Sequence, residues 1–374
     1  MKILYLGSAF GPHGGGIGRV NSVLVEFLSN QKSLGALTVF SLSDGMKEKR
    51  PELSNSRIRY KGFSGNKVRF VSAALHEAIH NYDIVFFDHI QLAQIAGFFP
   101  FRMGKRTVLF LLGVEVWEKL KGLKAKALRK IDLFLAISNH TASRVRALNP
   151  QIRNIKVCLL GVPERVSEDI SAAKTYPDIR DLPGPFILSV GRMHSSERYK
   201  GHEQLIRALP AVREEIPQAH LVFVGSGDDI PRLKRIARQC KVKGQVKFPG
   251  FVSEAALHSY YEECSIFAMP SRGEGFGLVY LEAMAHAKPC IGAAGGAASE
   301  IIKHGETGFL ITPEDSRELA RAVLLLLKNE AMRRKMGKAA RKRYLEKFTA
   351  EAFGQRFWAS VVEDLWVDGK LCAE

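Results

Sequence analysis

Two glutamates mark the stretch of the sequence best suited to chemistry, Met269-Pro-Ser-Arg-Gly-Glu-Gly-Phe-Gly-Leu-Val-Tyr-Leu-Glu-Ala-Met284. Glu274 lies in a glycine-rich loop expected at the carboxyl end of a strand. Glu282 lies inside the following helix, with seven residues between the two. The start of that helix offers backbone N–H groups that suit an anion. Because carboxylates bind hydroxyl groups well, the arrangement predicts a ligand that combines phosphate with sugar or ribose hydroxyls.

A pair of basic residues precedes this stretch. Arg192, in Val190-Gly-Arg192, ends a predicted strand, and Lys200, in Tyr199-Lys-Gly201, enters a predicted helix. Together they could neutralise a diphosphate, since a charge-assisted hydrogen bond contributes about 1.5–3 kcal/mol. The chain has 55 lysines and arginines, so two solvated charges are an equally good interpretation of the pair alone.

A glycine-rich segment also follows the first predicted strand. It reads Gly11-Pro-His-Gly-Gly-Gly-Ile-Gly-Arg19 and leads into a helix, where the backbone can approach a phosphate. The spacing is not G-x-G-x-x-G, because Asn21 occupies the place of the third glycine, and no acid follows about 20 residues later. A nicotinamide-dependent enzyme is therefore disfavoured, and a flexible turn is the alternative interpretation.

The elements that must position these residues follow from short apolar runs that alternate with stretches of helical period. This alternation predicts βαβ units with parallel sheets, an α/β fold. A length of 374 residues favours two domains. We predict a first domain over 1–165, a linker over 166–184, a second domain over 185–349, and a C-terminal helix over 350–374 that packs back on the first domain.

Two segments carry more specific predictions. Residues 41–67 are rich in Gly, Ser, Asn, Lys and Arg, which indicates an irregular surface segment. The final helix places its large apolar residues on one face; they are Phe353, Phe357, Trp358, Val361 and Leu365.

The composition limits the classes of partner. A formal charge of +17 and a pI near 9.7 favour anionic partners. No nucleic-acid recognition motif with interleaved aromatic residues is present, so we expect no nucleic-acid partner. The five cysteines are scattered, which argues against a disulfide framework and favours a reducing compartment, the cytoplasm. No apolar run reaches the roughly 20 residues that span a bilayer.

Taken in order, these motifs resemble those of the retaining GT-B glycosyltransferases with an E-x7-E signature, the glycosyl transferases group 1 family, which includes mannosyltransferases and glucosyltransferases. The resemblance covers nearly the whole chain. Its motifs are the glycine loop at 14–16, Val190-Gly-Arg192, Tyr199-Lys-Gly201, Phe223-Val-Gly-Ser-Gly227, Pro249-Gly-Phe-Val252, the Glu274 to Glu282 stretch, Gly295-Gly296 with Glu300, and Gly305 to Gly308.

The resemblance implies two Rossmann-like domains that face an interdomain cleft, with the donor nucleotide held by the second. By matching position, Arg192 and Lys200 would grip the donor diphosphate, and Glu274 would hydrogen-bond the transferred sugar; these three are the implied catalytic residues. The implied donor-binding residues also include Gly15, Gly16, Gly191, Val252, Phe276, Gly277, Leu278 and Glu282. Among them, Glu282 would bind the ribose hydroxyls, Val252 would lie near the base, and the loop at Gly16 would close over the phosphates.

The implied reaction moves a hexose from a UDP-, GDP- or ADP-sugar to a glycan or lipid-linked acceptor, in the synthesis of a lipid-linked glycan or a cell-surface polysaccharide. The anomeric configuration would be retained, with no covalent enzyme intermediate. No cofactor and no metal ion would be required. A glycogen-synthase-like or phosphorylase-like enzyme on the same fold is the alternative.

One position departs from the family pattern. Family members often carry His-Gly where this chain has Leu112-Gly113, and that histidine faces the transferred sugar and the acceptor. His89, which ends another strand, and Glu115 are the candidates to line the acceptor site instead. The departure leaves the acceptor open.

A rival motif is His76-Glu-Ala-Ile-His80, which satisfies H-E-x-x-H and would place two histidines on one helix face for zinc. Extended versions of the pattern need Gly and His at positions that Asp83 and Phe86 occupy here. A zinc hydrolase is therefore the weaker alternative.

The segment Trp117 to Lys130 interleaves apolar and basic residues. It would suit peripheral contact with an anionic membrane at the inner face of the cytoplasmic membrane, where each basic residue contributes about 1 kcal/mol. An amphipathic helix with a solvated basic face is the other interpretation.

Overall fold

The computed structural model describes residues 1–11, 14–45, 56–80, 82–99, 105–164, 182–367 and 370–371. The chain divides into two compact units. The first comprises Met1–Pro163 with Phe348–Glu374, and the second comprises Glu164–Lys347. The expected linker over 166–184 lies mostly outside the described residues.

The first unit is built on a seven-stranded parallel sheet with the strand order β3-β2-β1-β4-β5-β6-β7. Its strands are β1 (Lys2–Gly7), β2 (Ala36–Ser41), β3 (Ile58–Gly62), β4 (Ile84–Phe87), β5 (Arg106–Leu111), β6 (Leu133–Ala136) and β7 (Ile155–Val157). The central strands are mostly apolar, because helices cover both faces of a parallel sheet. Ile84–Phe87, for example, is buried at every position. The α/β prediction is confirmed.

Strand β3 contradicts the prediction of an irregular segment over residues 41–67. Among the described strands it lies at the edge of the sheet and pairs with β2, in register from Ile58 opposite Leu37 to Gly62 opposite Ser41. Arg59 is exposed and Lys61 is also exposed, as is common where an edge strand must avoid pairing with other chains. Because strands were predicted from continuous apolar runs, a strand that contains these charged residues was not recognised.

The helices of the first unit are α1 (Gly15–Ser29), α2 (Lys67–Ile79), α3 (Ile90–Ala93), α4 (Gly122–Leu128), α5 (Asn139–Leu148) and the C-terminal helix, named α13 in chain order (Ala350–Leu365). Helix α13 packs against α1 so closely that a Cβ on Gly354 would lie 2.1 Å from the ring of Phe27. The expected apolar face of α13 is buried, except that Trp358 is only partly covered.

The basic segment Trp117 to Lys130 is not one continuous helix. A short 3-10 turn covers Val114–Val116, and α4 begins only at Gly122, whose φ of 61° breaks the helical path. Across the described residues, no helix has the length and apolar character needed to cross a membrane.

The second unit holds a six-stranded parallel sheet with the order β10-β9-β8-β11-β12-β13. Its strands are β8 (Phe186–Val190), β9 (His220–Val224), β10 (Val246–Gly250), β11 (Ile266–Met269), β12 (Cys290–Ala293) and β13 (Gly308–Ile311). Its helices are α6 (His202–Glu215), α7 (Ile230–Gln239), α8 (Glu254–Glu263), α9 (Leu278–Ala285), α10 (Ala298–Ile301), α11 (Ser316–Lys328) and α12 (Glu330–Lys347). All these strands are parallel, so their carboxyl ends lie along one edge of the sheet, and this edge carries most of the predicted site residues.

Candidate functional site

The turn that carries Arg192 and Lys200 connects β8 to α6 in the second unit. A 3-10 turn covers Ser195–Lys200, and Gly201 then starts the helix with a φ of 84°. A Cβ on Gly201 would lie 2.7 Å from the carbonyl oxygen of Pro270. Glycine at position 201 is therefore required both by the left-handed backbone and by the close approach of the loop after β11.

The structure brings three predicted residues together at this turn. The Nζ atom of Lys200 lies 3.5 Å from Glu274 Oε1 and 3.7 Å from Oε2 of a third acid, Glu197. The guanidinium of Arg192 donates to the other oxygen of Glu197. The side chain of Lys200 is 13% exposed, whereas that of Arg192 is 73% exposed. Sequence reasoning missed Glu197, which links the two cations.

The loop that carries Glu274 is fastened to the same turn. The backbone N–H of Arg272 donates to the carbonyl of Tyr199 at 2.9 Å, and Gly273 lies against the Tyr199 ring. Burial and the carboxylates of Glu197 and Glu274 raise the pKa of Tyr199 to about 12. Tyr199 is thus a neutral spacer that fixes the distance between the basic turn and the acidic loop.

Helix α9 begins directly after this loop. Gly277 is its N-cap, with a φ of 99° and no side-chain cap, and Leu278 is its first residue. Phe276 is buried and anchors the loop, and the hydroxyl of Tyr280 donates to the carbonyl of Met269 at the end of β11. The backbone N–H groups and the dipole at this helix start favour an anion.

Glu282 is held in a fixed orientation one turn into α9. The hydroxyl of Tyr261, a buried residue of α8, donates to Glu282 Oε2 at 2.8 Å. The His286 ring stacks on Tyr261 with centroids 5.3 Å apart, and its Nδ1 bonds to the Glu282 carbonyl at 2.7 Å. Burial lowers the pKa of His286, so its neutral Nδ1–H donates. Tyr261 is a second residue that sequence reasoning missed.

Val252 lies at the same edge of the sheet. It is partly buried and sits between Gly250, which ends β10 with a φ of 82°, and Ser253, the N-cap of α8. Gly191 follows β8, and its carbonyl oxygen would lie 2.0 Å from a Cβ on Gly225. The loops after β8 and β9 are therefore in backbone contact.

Gly15 and Gly16 lie in the first unit, at the start of α1. The N-cap of this helix is Gly14, without a side-chain cap, and Gly15 has a φ of 63° with no atom within 4 Å of a Cβ. A Cβ on Gly18 would lie 2.4 Å from the carbonyl oxygen of Gly11. The loop is tightly folded around Gly18 and open at Gly15; its residues 12 and 13 lie outside the described part.

The two acceptor-side candidates both bond to their own backbone. His89 is the N-cap of α3, and its Nδ1 accepts from the N–H of Gln91 at 3.2 Å. Burial lowers the pKa of His89. Glu115 Oε1 accepts from the N–H of Leu112 at 2.7 Å and of Gly113 at 3.0 Å, and burial raises its pKa. Each side chain thus has a local structural bond beside the carboxyl end of a strand.

A buried acid next to His89 was not foreseen. Asp88 Oδ2 accepts from the N–H and the hydroxyl of Ser8 at 2.7 and 2.6 Å, and from Asn21 Nδ2 at 2.7 Å. Asn21 also accepts from the hydroxyl of Tyr5 at 2.7 Å. Burial raises the pKa of Asp88 to about 6. This cluster ties the loop after β1 to α1, the helix that starts at the glycine loop.

The H-E-x-x-H segment is engaged in other contacts. The rings of His76 and His80 are 5.2 Å apart, but the Glu77 carboxylate pairs with Arg59 and accepts from the Tyr82 hydroxyl at 2.6 Å. No group of three His, Cys, Asp or Glu side chains within the described ranges has the arrangement of a metal site. Within the described part of the chain, the zinc hydrolase alternative therefore has no set of three ligands.

Known proteins that are similar to this chain include glycosyltransferases. The model of the family "Glycosyl transferases group 1" matches residues 179–343. A GDP-mannose-dependent alpha-(1-6)-phosphatidylinositol monomannoside mannosyltransferase of Mycobacterium tuberculosis is 29% identical over 67% of the chain, which spans 66% of that relative's length. The corresponding monoacylated-substrate enzyme of Corynebacterium glutamicum is 29% identical over 95% of the chain and 96% of its own length.

Solved structures show the same architecture. Anabaena HepE in complex with UDP-glucose superposes with a TM-score of 0.78 at 21% identity, over 97% of this chain and 100% of that one. Both parallel-sheet, Rossmann-like units are thus those of the GT-B fold. The family model thus matches most of the second unit, and the chain is similar to the Corynebacterium glutamicum mannosyltransferase over nearly its whole length.

Proposed function

We propose that this protein transfers a hexose from a nucleotide diphosphate sugar to a glycan or lipid-linked acceptor, with retention of the anomeric configuration. The observation that carries the proposal is the cluster of Arg192, Lys200 and Glu274 beside the start of α9. It combines two cations for a diphosphate with a carboxylate for sugar hydroxyls. Glu282, one turn further along the helix, has the orientation that Tyr261 fixes and would bind the ribose.

The chemistry needs little more than charge stabilisation and positioning. The bond between the anomeric carbon and the diphosphate oxygen breaks, and its electron pair goes to that oxygen. Arg192 and Lys200 neutralise the developing charge. The acceptor hydroxyl attacks from the same face and gives its proton to the departing phosphate oxygen. Retention follows without a covalent enzyme intermediate, and the two basic side chains together with the helix start do the work of a metal ion.

The names of the relatives suggest which base and sugar the donor carries. Curated relatives at 29% identity carry GDP-mannose in their names, and HepE was solved with UDP-glucose. GDP-mannose is therefore the first donor to test, followed by UDP-glucose and an ADP-sugar. A lipid-linked glycan or a cell-surface polysaccharide is the proposed product.

Nucleotide binding tests the site directly. Calorimetry with GDP, UDP and ADP, in EDTA and then in magnesium, should show binding of one nucleotide without metal. Binding should be lost in Arg192→Ala/Lys200→Ala. The matched control is Arg238→Ala/Lys243→Ala, which removes the same charge from exposed residues near the amino edge of the sheet and should bind normally.

Four outcomes would contradict parts of the proposal. No binding of any nucleotide by the native protein would refute a nucleotide-sugar donor. Binding that requires magnesium would refute metal independence, and normal binding by the double variant would refute the phosphate site. The anomeric configuration of the product, read by NMR coupling constants, tests retention, and an inverted product would refute it.

We also propose peripheral contact with an anionic membrane through the first unit, at the cytoplasmic face. Helix α4 packs against the 3-10 turn Gln94–Phe98, and the Phe98 side chain is 63% exposed. Exposed basic residues on or beside α4 accompany it: Lys121, Lys126, Arg129 and Lys130. Co-sedimentation with phosphatidylglycerol vesicles, but not with phosphatidylcholine vesicles, is expected. Phe98→Ser should weaken it, and equal binding to both vesicles or to neither would refute the contact.

A further inference from the structure

Glu197 lies at the centre of the basic cluster. One carboxylate oxygen accepts from the Arg192 guanidinium, and the other lies 3.7 Å from Lys200 Nζ. The side chain is 13% exposed, and Oε2 is buried without a hydrogen bond. A buried carboxylate oxygen that lacks a hydrogen bond is costly, so its position needs a reason.

The charges at the cluster cancel. Arg192 and Lys200 supply two positive charges, and Glu197 and Glu274 supply two negative ones. Two neighbouring cations without these acids would repel each other, and nothing would hold the exposed Arg192 side chain near Lys200. Glu197 therefore occupies the place, between two cations, that an entering diphosphate needs.

We propose that Glu197 is a positioning residue that holds Arg192 and Lys200 while the site is empty, gives way to the donor diphosphate, and limits how tightly the nucleoside diphosphate product is retained. This rests on the proposed function. Because the turn Ser195–Lys200 holds the backbone of Glu197, its carboxylate remains beside the phosphates after the donor has replaced it between the two cations. It consequently repels whatever phosphate charge is bound.

The Glu197 carboxylate repels the nucleoside diphosphate product more strongly than it repels the sugar nucleotide donor. Once the sugar has left, the terminal phosphate carries an additional negative charge near pH 8, since the second ionisation of a phosphate monoester falls near pH 6. An acid beside the phosphates therefore favours product release over donor release. Removal of the acid should reverse this preference and make the release of product slow.

The experiment compares Glu197→Gln with the native protein at pH 8. The neutral amide should tighten GDP or UDP about tenfold, and the corresponding sugar nucleotide by less, so that the ratio of donor Kd to product Kd rises. KM and kcat should both fall, with a burst of product in the first turnover. Glu203→Gln is the matched control, because Glu203 pairs with Arg207 and Arg232 and not with the cluster.

Glu197→Asp provides an independent variant that keeps the charge and shortens its reach by one methylene. Its donor-to-product ratio should remain near the native one, whatever its absolute affinities are. An unchanged ratio in Glu197→Gln, or equal weakening of both ligands, would mean that Glu197 only supports the fold and would overturn the proposal. Absence of nucleotide binding by the native protein would instead overturn the proposed function.

Discussion

Replacement of Asp88 by asparagine should change how the stability of the first unit depends on pH. Asp88 is fully buried, and only its Oδ2 is hydrogen-bonded, to Ser8 and Asn21. Its Oδ1 has no partner. Asparagine has nearly the same shape and keeps a carbonyl oxygen for these donors, but it cannot ionise. The substitution therefore isolates the effect of the buried charge.

The magnitude follows from the raised pKa. Asp88 has a pKa of about 6 in the folded protein, because burial disfavours the carboxylate, against about 3.9 in an unfolded chain. Above pH 6 the native unit bears the full cost of the buried charge, about 3 kcal/mol, and below pH 4 it bears none. Ionisation of Asp88 thus lowers the free energy of unfolding as the pH rises from 4 to 6.

Asp88→Asn cannot ionise, so its free energy of unfolding does not fall as the pH rises. The substitution also places an amide N–H where Oδ1 had no partner, which lowers the free energy of unfolding by about 1–3 kcal/mol at every pH. The stability difference between variant and native protein should therefore shift by about 3 kcal/mol in favour of the variant between pH 4 and pH 8. Urea unfolding followed by tryptophan fluorescence measures it. This probe reports on the first unit alone, because that unit contains all three tryptophans, Trp117, Trp358 and Trp366.

Asp132→Asn is the control in the same sheet. Its carboxylate accepts from the Thr107 N–H at 2.7 Å and lies 3.3 Å from Arg106 Nη1, so loss of its charge should destabilise the unit at pH 8. A constant difference between Asp88→Asn and the native protein from pH 4 to pH 8 would refute the assignment of a buried, costly charge.

Two further predictions concern the second unit. Tyr261→Phe removes the donor that orients Glu282 and should weaken nucleoside diphosphate binding about fivefold to tenfold, while pyrophosphate, which has no ribose, binds as before in calorimetry; equal losses for both ligands would contradict a ribose contact. Gly225→Ala should unfold the second unit, because its Cβ would lie 2.0 Å from the Gly191 carbonyl oxygen at a φ of 133°. Gly244→Ala, which has no atom within 4 Å of the Cβ, should leave the melting temperature unchanged in circular dichroism, and a similar small effect of both would contradict the packing argument.

The buried strands were predictable because parallel sheets covered on both faces need continuous apolar runs. Ile84–Phe87, Phe186–Val190 and Ile266–Met269 are buried at every position. The edge strand Ile58–Gly62 was not predictable in this way, since its side chains alternate between the sheet and solvent and include charges. Apolar runs identify the centre of such a sheet and miss its edges.

The site was predictable only where local sequence determines the geometry. Lys200-Gly201 and the loop around Glu274 can be recognised in the sequence, because their backbone conformation requires glycines. Glu197 was missed because it stands in a polar run that resembles a solvated turn. Tyr261 was missed because its bond to Glu282 spans 21 residues and depends on the packing of two helices.

Buried polar atoms without a hydrogen bond cost folding free energy, and in this fold they lie near the edge at which open parallel sheets bind ligands. Among the described residues, the buried side-chain polar atoms without a hydrogen bond belong to Asp88, Trp117, Ser189, Glu197 and Gln204. Asp88 and Trp117 follow strands β4 and β5. Ser189 is the penultimate residue of β8, Glu197 lies in the turn after it, and Gln204 lies in the first turn of α6. Every one is thus at the carboxyl edge of its own sheet.

Random packing defects would be spread over both edges and the helix faces, whereas Asp132, at the amino edge of the first sheet, is hydrogen-bonded to Thr107. Buried polar groups without a hydrogen bond are more often found at functional positions than elsewhere, because a ligand can supply the missing partner. The carboxyl edge of an open α/β sheet is also where ligands bind. In each unit, considered by itself, the buried polar atoms without a hydrogen bond therefore lie at the edge where the proposed chemistry needs polar groups. Among these residues, Glu197 is the one placed between two cations.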